Sequence, residues 1–125
     1  MGVPQSTILV AGIFFGLIFL PGIWLKRSGK PYSVIVLTIH KLISLTAVGF
    51  LAKAVVQTNR TAPFRTTELT LAVATGVMFL TTIATGGLVS IDRPVPAAVK
   101  TLHRVTPILT ALSTGLTLIL LLRRR

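Results

Sequence analysis

Residues 33–56 read SVIVLTIHKLISLTAVGFLAKAVV. The stretch is apolar from end to end and contains no acidic residue; its only ionisable side chains are His40, Lys41 and Lys53. Coiled as an α-helix at 1.5 Å per residue it would cover about 36 Å, enough to cross a hydrocarbon core of about 30 Å. A strand reading fails. An open sheet cannot satisfy its edge amides in lipid, and a closed barrel needs at least about eight strands.

Working outward, three more runs of the same kind appear: 7–25, 68–89 and 97–122, with 33–56 as the second of four. The chain of 125 residues is 52% hydrophobic and only 12% charged, too little charge to cover the surface of a soluble domain. The expectation is an all-α, multi-pass integral membrane protein made of one domain, 1–125. Its connections, KRSGKP, QTNRTAPFRTT and SIDRPVP, are short and polar. Sequential helices joined in this way become antiparallel neighbours in an up-down four-helix bundle. Pro31, Pro94 and Pro96 suit the first turns of the spans they precede, where no N–H partner is needed. Trp24 and Tyr32 flank the first loop, as residues of an interfacial aromatic belt do. Glu68 complements the N-terminal dipole of the third span.

Thirteen Lys and Arg stand against two acids, Glu68 and Asp92. The basic residues cluster at the ends of apolar runs, which points to anionic lipid headgroups and away from nucleic acid. They divide seven to six between the two faces, out of the chain's thirteen, so the positive-inside rule leaves orientation open; the first span favours loop 26–31 in the cytoplasm, and the arginine tail 123–125 argues the opposite. Cysteine is absent, which removes disulfides, thiolate metal sites and covalent c-type haem attachment. The beginning, MGVPQSTILVAGIFF, lacks the basic residues of a signal peptide. It does fit the short, loose N-myristoylation pattern, with Gly2 and Ser6 in place.

Two segments nearly repeat: KPYSVIVLTIHKL from Lys30 and RPVPAAVKTLHRV from Arg93. A shift of 63 residues pairs Pro31 with Pro94, Val36 with Val99, Thr38 with Thr101, His40 with His103 and Lys41 with Arg104. The halves then read as two repeated helical hairpins about an axis along the membrane normal. The chain's two histidines fall at matched depths, roughly 10 Å inside the second and fourth spans, which lie diagonally across an up-down bundle.

Ionisable residues inside a membrane are functional candidates, and imidazole is a common axial ligand of haem iron. His40 and His103 on opposed helices could close both axial positions of one b-type haem. Lys30, Lys41, Arg93, Lys100 and Arg104 could meet its propionates or anionic lipid at the interface. Gly12, Gly16, Gly49, Gly76, Gly86 and Gly87 could admit the macrocycle edge, or simply let helices pack closely. Thr81, Thr82 and Ser113 are candidates to hold the ligands' second nitrogens. Pro107 is expected to kink the fourth span just past His103. Met78 is an alternative ligand, though a packing role suits it better.

Four short spans with IHK and LHR near helix starts resemble the cytochrome b561 type of small membrane b cytochrome. The resemblance covers about a dozen residues around each histidine and the overall layout, and it implies electron transfer with a quinol, superoxide or a partner protein. Members of that family usually carry more histidines and often two haems; this chain has ligands for one. On that reading an electron-transfer protein or oxidoreductase subunit is expected ahead of a stand-alone enzyme. Two other readings stand beside it. A small four-span transporter or channel would use the threonine-rich spans, but a proton-coupled exporter is expected to hold a carboxylate within a span, and Glu68 and Asp92 both sit at helix ends. A non-catalytic subunit, homo-oligomeric or within a larger membrane complex, is compatible with the same sequence.

Overall fold

A computed structural model describes residues 5–91 and 93–123. Asp92, the Gly2 of the N-terminal pattern, and Arg124 and Arg125 of the tail lie outside the described residues. Four helices account for the fold: α1 (Gln5–Ser28), α2 (Val34–Thr61), α3 (Thr66–Val89) and α4 (Ala97–Arg123). Each is long and apolar enough to cross a membrane, and there is no strand among the described residues.

Helix ends follow local chemistry. α1 stops at Gly29, whose φ of +68° takes the left-handed conformation; its N–H reaches the Leu25 carbonyl at 3.1 Å, a common C-terminal cap. Ser33 caps α2, accepting from the Val36 N–H at 3.5 Å. α2 runs further than its apolar stretch, to Thr61, because the Ala62 N–H still bonds the Thr58 carbonyl and Asn59 Oδ1 accepts from the Phe64 N–H at 2.9 Å. Glu68 Oε2 accepts from the Arg65 N–H at 2.8 Å, so α3 starts two residues before the expected point. α4 continues through Pro107, and α1 through Pro21.

Packing is closest within the hairpins α1–α2 and α3–α4; α1 against α4 and, more sparsely, α2 against α3 complete the ring. This is the up-down order, with α2 and α4 on one diagonal. Helix ends near the α2–α3 loop are tied by an apolar cluster of Ile8, Ala54 and Leu121, with Val55, Phe64, Leu118 and Leu122 against it. At the middle of the bundle the rings of Phe15 and Phe79 meet edge to face, 5.6 Å apart. On the side of that contact where the histidines lie, the buried residues include Leu25, Ala47, Thr85, Thr106 and Thr110. The apolar cluster fastens the hairpins together at the opposite end.

The internal repeat is deeper than the sequence match. Buried residues of α2, Ala47, Leu51, Ala54 and Thr58, fall on Thr110, Thr114, Thr117 and Leu121 of α4 at the same shift of 63. α1 and α3 register at a shift of 64, which pairs Ala11 with Thr75, Phe15 with Phe79, Gly12 with Gly76 and Gly22 with Gly86. Between matched positions the first hairpin is one residue longer, Gly22 to His40 against Gly86 to His103, and that difference hides the repeat from a single-shift comparison.

Between α3 and α4, Thr75 and Thr117 share a hydroxyl contact of 3.1 Å, and Thr82 and Thr110 one of 3.0 Å. All four hydroxyls also donate to carbonyls of their own helices, so each cross-helix contact uses a proton already shared. Thr75→Val, nearly isosteric, is expected to destabilise the bundle by about 0.6 kcal/mol, the average for such bonds in membranes, measured by reversible unfolding in mixed micelles.

Candidate functional site

His40 and His103 stand on the diagonal helices, one in each hairpin. Both are half-buried. Each is held by the partner helix of its own hairpin. His40 Nδ1 lies 3.1 Å from the Ile18 carbonyl oxygen of α1. His103 Nδ1 lies 3.1 Å from Thr85 Oγ1 of α3.

These partners fix the tautomers. A carbonyl can only accept, so His40 Nδ1 carries the proton. The Thr85 hydroxyl reaches the Thr81 carbonyl at 2.8 Å; with its proton there, its oxygen accepts and His103 Nδ1 donates as well. In both rings Nε2 is left with a free lone pair, and it makes no hydrogen bond among the described residues.

Gly22 stands one helical turn beyond Ile18, and Gly86 directly follows Thr85. A Cβ on Gly22 would come within 3.1 Å of His40 Cε1, and one on Gly86 within 2.8 Å of His103 Cε1. Glycine therefore lets the Cε1 edge of each imidazole approach the neighbouring backbone closely. Ile18 and Gly22 in α1 correspond to Thr82 and Gly86 in α3 at the shift of 64, so the two cradles are copies of one device. Phe15 and Phe79 lie roughly one turn deeper than the anchoring residues and close the space below.

Several expectations change in detail. The partner of His103 is the Thr85 hydroxyl; Thr81, Thr82 and Ser113 turn their hydroxyls to carbonyls of their own helices. Gly86 touches a histidine, and Gly12 faces Leu118 at 3.7 Å. A side chain at Gly16, Gly49, Gly76 or Gly87 would meet nothing within 4 Å, so these four do not serve close helix packing within the chain; Gly16, Gly49 and Gly76 are exposed on the lipid side. Gly22 was not legible as a site residue, because its role depends on a ring from another helix. The spacing shared by Gly22–His40 and Gly86–His103, within one residue, is the signal that points to it.

Lys41, Arg104, Lys30, Arg93 and Lys100 are all exposed on the side of the histidines. Lys30 Nζ donates to the Ile91 carbonyl at 2.7 Å, tying the first loop to the third. No group of three or more His, Cys, Asp or Glu that could hold a metal ion occurs among the described residues, so a metal here must bring most of its own ligands. A haem does: its porphyrin fills four positions and asks the protein for two. The donor set fits that requirement, with two imidazoles anchored at Nδ1 and Nε2 atoms that make no hydrogen bond among the described residues. Comparison with known protein families, curated proteins and solved structures gives no match to this chain.

Proposed function

We propose that the chain is a membrane b-type cytochrome, with one haem b held between α2 and α4 by His40 and His103 and used for electron transfer. The observation that carries this reading is the matched anchoring of the two Nδ1 atoms, which leaves both Nε2 lone pairs for a metal. Hydrogen-bonding the outer nitrogen of a ligating histidine is the standard way to fix its tautomer and orientation. A bis-imidazole haem supplies one-electron exchange between ferrous and ferric iron. The chain's own contribution is to hold the two rings and to present Lys41 and Arg104 to propionates at the interface. The electron donor and acceptor are a quinol or a redox partner.

The test is a reduced-minus-oxidised visible spectrum of protein expressed with ample haem and purified in detergent. The expected result is a sharp, low-spin b-type α band at a stoichiometry of one haem per chain. Colourless protein would overturn the reading.

A further inference from the structure

His103 shares its face of α4 with Thr106, Thr110, Thr114 and Thr117, all four buried. The matched positions after His40 on α2 are Ile43, Ala47, Leu51 and Ala54. One hairpin of the repeat therefore has an apolar seam and the other a seam of hydroxyls. Packing alone does not require the difference, since the apolar copy closes equally well: Ala54 is 0% exposed and its counterpart Thr117 is 4%.

Two of these hydroxyls are out of place in a finished structural seam. Thr106 Oγ1 and Thr114 Oγ1 have no hydrogen-bond partner, on side chains 5% and 2% exposed. An unpaired buried hydroxyl costs about 1–3 kcal/mol, and in a membrane no lipid can relieve it. They alternate along the helix with the paired Thr110 and Thr117. The seam also has a mouth. Beside the α2–α3 loop a narrow crevice of about 10 Å³, lined by Phe64, Glu68 and Leu71 among others, reaches Thr117. That volume is about what one water needs, in a lining that is apolar apart from Glu68 and Thr117.

We propose that the α3–α4 seam is a water path, entered beside Glu68 and running past Thr117, Thr114 and Thr110 to the level of His103. In the closed packing Thr114 and Thr106 lack partners; water drawn in as α3 and α4 part supplies them. The path joins the α2–α3 loop face to the centre of the bundle through one hairpin only. It is independent of the haem.

The chain has no cysteine, so single cysteines report without further engineering. Thr114→Cys, reconstituted in detergent and treated with a membrane-impermeant cationic methanethiosulfonate, is expected to react at least tenfold faster than two controls. Leu112→Cys lies on the lipid-facing side at nearly the same depth, 63% exposed, and Leu51→Cys occupies the matched position in the apolar hairpin. Methanethiosulfonates react with the thiolate, which forms only in water. Labelling of Thr114→Cys no faster than Leu51→Cys would overturn the path. Amide hydrogen exchange of the unaltered chain gives a second reading that no folding defect can obscure: 109–118 should exchange faster than 46–55, and equal protection would overturn the proposal as well.

Discussion

Replacing His40 or His103 by alanine will each abolish the low-spin haem spectrum of the purified protein. With one imidazole gone, the remaining ring can hold haem on one side only, leaving a high-spin, five-coordinate product or none. The neighbouring ring cannot compensate, because the two ligands sit on opposite hairpins and each is fixed through its own Nδ1, His40 to Ile18 and His103 to Thr85. No other histidine or any cysteine exists to substitute. Both side chains are only half-buried, and the apolar cluster at the far end contains neither, so helical content by circular dichroism should remain that of the unaltered protein. A low-spin spectrum that survives in either variant would sink the bis-histidine assignment, even if the protein binds haem.

The second large effect concerns a residue with no side chain. Gly86→Ala places a methyl group 2.8 Å from His103 Cε1, closer than real Cβ contacts allow, so the ring must leave its place beside Thr85. Loss of such a supporting contact typically lowers metal affinity about 10- to 100-fold, and a loss of that size in haem affinity is expected, with a shifted α band in whatever haem is retained. Gly22→Ala, at 3.1 Å from His40 Cε1, asks for a displacement of a few tenths of an ångström and should have a smaller effect, under about tenfold. Gly16→Ala is the control: a methyl group there meets nothing within 4 Å, and haem affinity should be unchanged. Haem titration followed by absorbance separates the three. Equal affinities across the series would show that the glycine contacts do not position the ligands.

Asymmetry between the two copies runs through both the site and the seam. His40 donates to a main-chain carbonyl that no substitution can remove, whereas His103 donates to a side-chain hydroxyl. Below them, the α1–α2 hairpin is closed with Ala and Leu, and the α3–α4 hairpin with Thr. A duplicated hairpin that had only to pack would have no need of the second set, and that is the reason for assigning the hydroxyls a task.

By itself the sequence determined the membrane class, the four helices and the depth of the two histidines. These depend on the length of apolar runs, the spacing of polar breaks and the fixed rise of a helix, all of which are local. Helix ends moved by a few residues, as at Thr61 and Thr66, because caps such as Asn59 Oδ1 and Glu68 Oε2 extend helices past the apolar stretch. Tertiary structure alone decided what holds the rings. Thr85 lies 18 residues from His103 and Ile18 lies 22 from His40, and neither separation carries a pattern until α1 folds against α2 and α3 against α4. It also decided which glycines matter: Gly22 and Gly86 lie under imidazoles while Gly16, Gly49 and Gly76 face lipid. Glycine has no side chain by which the sequence could show the difference, and only the helix packed against it gives the gap a use.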